Sequence, residues 1–169
     1  MRPYVLEIQN CENIFFEDLT VLESPFHTFN FSGVERLVVR GITLRNDPKS
    51  PNTDGLHLFA CKYVRVSEVD FDTCDDCILT GGGTTDVVVT NSRFKTPWGL
   101  FWPIDGKRIT ISNCVVTCQM LVKDIRKGED ITLSNIVANG PGKLFSTYQG
   151  EIKNLTLNNI QASDWSQGG

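Results

Sequence analysis

Apolar and polar residues alternate along this chain in one recurring phrase, apolar-x-apolar-x-x-apolar-x-apolar. Ile109-Thr110-Ile111-Ser112-Asn113-Cys114-Val115-Val116 is an example. The phrase begins at Ile14, Leu37, Val64, Val87, Ile109, Ile131 and Leu155, at intervals of 23, 27, 23, 22, 22 and 24 residues. Two residues on stand Phe16, Val39, Val66, Val89, Ile111, Leu133 and Leu157. Five on stand Leu19, Ile42, Val69, Ser92, Cys114, Ile136 and Ile160, and seven on Val21, Leu44, Phe71, Phe94, Val116, Ala138 and Ala162. Period-two alternation predicts short strands, and the single slip in each phrase predicts a corner between two of them. β-branched and aromatic residues fill the apolar positions, while Gly, Asn, Asp and Pro gather between phrases. No segment keeps a 3.6-residue period, so very little helix is expected.

A repeat of this length with two or three short strands closes into one coil of a parallel β-helix. The fold expected is therefore all-β, a solenoid of about seven coils, roughly 34 Å long at the strand spacing of about 4.8 Å. A leucine-rich repeat fits less well, because its L-x-x-L-x-L-x-x-N phrase does not recur. A β-sandwich would not keep so constant an interval. Residues 1–169 read as one domain. Terminal coils expose strand edges and an open core, and no amphipathic cap is visible at either end, near Met1 or near Trp165. The chain is thus expected to be part of a longer protein, or to cover its ends by self-association.

Composition narrows the functional classes. The chain has 40% hydrophobic and 21% charged residues, as an ordinary folded protein does. No apolar run reaches the roughly 20 residues of a membrane helix, and the first residues do not resemble a signal peptide. A net charge of −4 argues against a nucleic-acid partner. Residues 93–127 nevertheless carry +5, leaving −9 elsewhere, a local field suited to an anionic substrate. The six cysteines do not form a disulfide pattern: Cys11 and Cys61 occupy one corner two repeats apart, and Cys114 sits in an apolar ladder. Cys74-x-x-Cys77 lacks a second pair or histidines to complete a zinc site, so neither metal nor cofactor is expected. Asn30-Phe31-Ser32 and Asn154-Leu155-Thr156 are glycosylation sequons.

Candidate chemistry lies where the repeat is enlarged. The extra residues of the 27-residue interval fall in Asn46-Asp47-Pro48-Lys49-Ser50-Pro51-Asn52-Thr53-Asp54-Gly55, and Asp76 follows Asp54 by 22 residues, one coil. Carboxylates stacked about 5 Å apart repel, so one of them should hold its proton abnormally well. Asp75 and Asp76 would point to opposite faces of an ideal strand and can share a cleft only at a bend or bulge. The alternative is that these aspartates simply bind backbone N–H groups in solenoid turns.

Ser50-Pro51-Asn52-Thr53-Asp54-Gly55-Leu56-His57, followed one coil later by Cys74-Asp75-Asp76-Cys77, closely resembles glycoside hydrolase family 28, the polygalacturonases. Arg2-Pro3-Tyr4 and Ser24-Pro25-Phe26 resemble the family's lead-in to its catalytic coils. The resemblance runs through residues 2–94 and continues more weakly to about 160. It implies a right-handed, pectin-lyase-like parallel β-helix, secretion, and inverting hydrolysis of α-1,4-galacturonan or a related pectic polysaccharide. By resemblance, Asp75 is the general acid, Asp54 and Asp76 orient and deprotonate the attacking water, and Asn52 supports Asp54. Inversion needs the two carboxyl groups about 6.5–9.5 Å apart.

Two motifs depart from the family pattern. Where the family has Gly-His-Gly, this chain has Pro97-Trp98-Gly99-Leu100; where it has Arg-Ile-Lys, this chain has Leu121-Val122-Lys123. Lysine does not reproduce the bidentate carboxylate contact of the lost arginine, and Arg126 is the candidate to compensate. Trp98, Phe101 and Trp102 are either a platform for a sugar face or core packing. His57 reads as a wall residue outside the catalytic set. Three functional readings stand at this point: an active pectin-type hydrolase with Asn52, Trp98, Lys123 and Arg126 in substrate binding; an inactive carbohydrate-binding relative; and a structural β-helix segment of the tailspike or adhesin kind. Lyase chemistry is disfavoured, because no acidic calcium cluster accompanies an arginine base.

Overall fold

A computed structural model describes residues 2–140, 142–145 and 150–163, which contain eighteen strands and no helix. They wind into seven coils. The first four coils each carry three strands: β1 (Leu6–Gln9), β2 (Glu12–Glu17) and β3 (Thr20–Leu22); β4 (Phe29–Ser32), β5 (Glu35–Arg40) and β6 (Thr43–Arg45); β7 (Leu56–Phe59), β8 (Lys62–Ser67) and β9 (Asp70–Asp72); β10 (Ile78–Gly81), β11 (Thr84–Thr90) and β12 (Arg93–Lys95). In the last three coils the second and third strands run together: β13 (Gly99–Phe101) and β14 (Ile104–Thr117), β15 (Met120–Val122) and β16 (Ile125–Asn139), β17 (Lys143–Phe145) and β18 (Glu151–Ser163). Every pairing is parallel, and the first strands of the coils form one seven-stranded sheet, β1-β4-β7-β10-β13-β15-β17. The solenoid thus follows from the repeat, each phrase supplying one coil.

The register reproduces the sequence ladders. Ile14 pairs with Leu37, Leu37 with Val64, Val64 with Val87, and the column continues through Ile109 and Ile131 to Leu155. The Val21–Leu44–Phe71–Phe94–Val116–Ala138–Ala162 column is continuous in the same way. Inside, Phe29, Phe31, Leu56, Leu58, Phe71 and Phe101 are wholly buried. In the first and last coils the same columns are partly open, with Leu19, Leu155 and Leu157 exposed, because each has a neighbour on one side only. The chain end near Trp165 lies outside the described residues.

The slip in each phrase is a left-handed residue. Asp18, Gly41, Glu68, Asn91, Asn113, Asn135 and Asn159 have φ of 49–63°, and the residue before each phrase, from Asn13 to Asn154, has φ of 53–61°. One αL residue rotates the strand direction without breaking the pairing. Asn and Asp bear that conformation at the least cost, which explains their recurrence here. Asn135 donates to Asn113 at 3.2 Å and Asn159 to Asn135 at 2.9 Å, so the corner stacks as a side-chain ladder. Of the two sequons, Asn154 is exposed, whereas Asn30 is buried in β4 and donates to Glu7 at 2.9 Å.

Candidate active site

The three aspartates come together because two neighbouring coils begin the same sheet at the same height. Leu56 of β7 pairs with Ile78 of β10, so Asp54 and Asp76 precede them at matching places. Backbone bonds carry the match into the corner: Gly55 N–H donates to the Asp76 carbonyl at 3.0 Å, and Thr28 N–H to the Asp54 carbonyl at 2.8 Å. Asp75 and Asp76 sit in the irregular bend between β9 and β10, as their adjacency requires. Thr73 and Thr96 hydroxyls pin that bend by donating to the Asp75 carbonyl at 2.5 and 2.6 Å. The Asp75 carboxylate accepts the Asp76 N–H at 3.0 Å and is half-buried.

Asp76 has no solvent exposure. Burial pushes its carboxyl up from 3.8 to about 7; Lys123 opposes that rise, and the neighbouring Asp75 adds to it. Its oxygens accept from Gly99 N–H at 2.9 Å and from Lys123 Nζ at 3.2 Å. Gly99 is required for this approach: a Cβ there would lie 2.9 Å from the Asp76 Oδ1 and 3.0 Å from the Lys123 Cβ. The glycine of Pro97-Trp98-Gly99-Leu100 is thereby explained by the buried aspartate beside it.

Asp54 is buried and meets two histidines. His57 Nε2 lies 3.1 Å from Asp54 Oδ2, and His27 Nε2 lies 3.7 Å from Asp54 Oδ1. The His27 ring stacks on Phe26 at 3.9 Å, and Arg2 lies over Phe26 at 5.0 Å. Desolvation lowers the His27 pKa below 6.5, against the pull of Asp54. His57 is therefore part of the carboxylate's immediate surroundings, and His27 joins it. Phe29 pairs with Leu56, which stacks Asp54 on His27, a match that the enlarged loop conceals in the sequence.

The remaining candidates spread around the corner. Asn52 is exposed, has φ 58°, and accepts from Arg2 at 3.0 Å, so its hydrogen bond ties the loop to the first coil rather than to Asp54. Asn46 performs the bracing, accepting from Ser24 N–H at 2.9 Å and donating to the Thr53 carbonyl at 3.0 Å. Trp98 is 45% exposed, and Lys123 Nζ lies 5.0 Å from its ring centre and 4.4 Å from that of Trp102. Arg126 lies 6.0 Å over Trp102 and 3.7 Å from Asp124. Phe101 and Leu121 are core residues. A surface groove of about 610 Å³ runs across β2, β5, β8, β11 and β14, is lined by residues such as Phe15, Tyr63 and Arg108, and includes none of the three aspartates. All six cysteines are free, with Cys77 buried and Cys74 donating to the Pro48 carbonyl at 2.8 Å.

The chain is thus a parallel β-solenoid with three aspartates at one corner of adjacent coils. The sequence model of glycosyl hydrolases family 28 matches residues 1–102, and the chain belongs to that family. It is 30% identical over 88 residues to a polygalacturonase of Chamaecyparis obtusa, covering 52% of this chain and 17% of that protein. A probable polygalacturonase of Arabidopsis thaliana is 28% identical over 121 residues, covering 69% and 26%. Polygalacturonase-2 of Solanum lycopersicum is 30% identical over 89 residues, covering 53% and 20%. The matches span about a sixth to a quarter of the length of these relatives.

Proposed function

We propose that this chain carries the catalytic corner of a polygalacturonase-type enzyme, which hydrolyses α-linked galacturonan or a related pectic polysaccharide with inversion, outside the cell. The observation that carries this reading is the convergence of Asp54, Asp75 and Asp76 from two adjacent coils, one of them fully buried. Their environments suggest different tasks. Asp75 reaches solvent and is the group able to protonate a leaving glycosidic oxygen. Asp76 has both oxygens occupied by Gly99 and Lys123, which suits it to holding charge and orienting water. Asp54 is buried with its Oδ2 3.1 Å from His57 Nε2, which places it to orient a water rather than to face bulk solvent.

In the reaction, Asp75 gives its proton to the bridging oxygen as the anomeric C–O bond breaks. Water attacks the opposite face of that carbon and gives its proton to Asp54 or Asp76. Lys123, held between Trp98 and Trp102, supplies positive charge for a sugar carboxylate, and the exposed Trp98 face offers a stacking surface for the ring.

Proton NMR of the first products tests the reading, because inversion of an α-linkage must give the β-anomer before mutarotation. Initial α-product contradicts inversion. Oligogalacturonide binding with no product from any pectic substrate favours a second reading, an inactive glycan-binding relative. Behind that reading stand Leu121, which is core, and Trp98, which is 45% exposed where the family resemblance leads to the expectation of a histidine.

A further inference from the structure

We infer that His27, Asp54 and His57 form a binding site for a divalent transition-metal ion of the zinc class. One ligand atom from each of the three lies within 4.8 Å of the others. His57 Nε2 lies 3.1 Å from Asp54 Oδ2 and His27 Nε2 lies 3.7 Å from Asp54 Oδ1, one imidazole against each oxygen of the carboxylate. Bonds of about 2.0–2.1 Å at tetrahedral angles set such atoms roughly 3.4 Å apart. Two imidazoles and one carboxylate suit zinc, cobalt or nickel and not calcium or magnesium, which take oxygen ligands.

A second observation points to a ligand independently of the spacing. Asp54 is a buried carboxylate, 4% exposed, and its Oδ1 has no hydrogen-bond partner among the described residues. A buried carboxylate oxygen without a donor is costly, and a cation between it and His27 satisfies it. The ring positions are already fixed. Phe26 stacks on one face of His27, and His57 projects from β7 with its backbone in the sheet. Little side-chain order is therefore left to lose on binding. His57 Nε2 turns a proton or a lone pair toward Asp54 according to its tautomer, and the tautomer with the lone pair there is the one that ligates a metal. His27 is the more open of the three, with a side-chain exposure of 23% against 6% for Asp54, and gives the ion its way in.

The site shares Asp54 with the proposed reaction. On that reading, a coordinated Asp54 no longer accepts a proton from water, and the metal acts as a reversible inhibitor. The binding claim stands apart from the catalytic one, and the test separates them. Zinc chloride is titrated calorimetrically into the protein carrying Cys11→Ser and Cys74→Ser, which removes the two thiols that reach the surface. One equivalent should bind, and His27→Ala or His57→Gln should each weaken it at least tenfold with the far-ultraviolet spectrum unchanged. Cobalt bound to the same protein should show ligand-field bands without the intense thiolate charge-transfer band. Absence of one-to-one binding, or binding indifferent to both histidine variants, overturns the proposal. If either histidine variant fails to fold, cobalt spectra that report thiolate ligation overturn it, and spectra that report nitrogen and oxygen ligation support it. Zinc binding by a protein that cleaves no glycan would leave the site standing and remove only the proposed hydrolysis.

Discussion

Asp76 is held between opposed demands. Burial favours its neutral form, while Lys123 and the Gly99 N–H favour the charged one; burial prevails, and the carboxyl rises to about 7. Its folded pKa lies above the unfolded value of 3.8, so the folded protein holds this proton more tightly. That contribution to stability is complete below about pH 4 and is lost as the pH rises through about 7. Asp76→Asn, which mimics the protonated group, should therefore gain in thermal midpoint relative to the parent between pH 4 and 7.5. Melting curves with parallel pH slopes for the two proteins would contradict this. Should Asp76 act in its ionised form, kcat/KM should rise with pH through the same region. Lys123→Met, by removing the charge that opposes protonation, should move that rising limb to higher pH. At the exposed edge of the corner, Trp98→Ala should raise KM for oligogalacturonides by up to roughly tenfold with kcat little changed. An unchanged KM would assign Trp98 to packing alone.

The elements hold the corner from behind. Phe71 of β9 is wholly buried, 5.9 Å from Phe94 and 6.3 Å from Phe29, and its ring touches the place a Cβ on Gly55 would occupy, 3.0 Å away. Phe71→Ala should cost about 3–5 kcal/mol in urea unfolding, with Asp54 loosened along with it. A loss below about 1 kcal/mol would show that the stack collapses to fill the space. The strand ladders were legible in sequence because period-two alternation and a near-constant interval survive in every coil from Ile14 to Leu155. The conformation of the corners was not, since a slip such as Asn113 marks a turn without stating that it is left-handed. At the site, Asp54, Asp75 and Asp76 could be read from the one-coil spacing and the motif. His27 could not, because the enlarged loop hides which residue of the second coil lies above Asp54. Asn46 is not singled out, for a related reason: sequence shows two asparagines in one loop, and only the tertiary contacts of Asn52 with Arg2 and of Asn46 with Ser24 distinguish them.

Across the whole molecule, the charge segregation seen in sequence is largely resolved by pairing. Within the basic stretch, Lys95 meets Asp72 at 2.7 Å, Lys107 meets Glu129 at 2.6 Å and Arg108 meets Asp86 at 2.6 Å, each across one coil. Repeats that stack in register bring such partners together, so the net field of the stretch is weaker than its +5 suggests. Lys123 is paired in turn with Asp76 at 3.2 Å and Arg126 lies 3.7 Å from Asp124, so the attraction proposed for an anionic sugar is a local and partly compensated one. The KM for polygalacturonate should accordingly rise only weakly with ionic strength, and Lys123→Met should abolish most of that dependence. The central claim is that Asp75 protonates the leaving oxygen of a pectic glycan. Its most direct test is the release of reducing ends from polygalacturonate by the protein and by Asp75→Asn. Turnover is expected in the first and a loss of about a hundredfold or more in the second, with oligosaccharide binding retained. Equal activity in both proteins would contradict it.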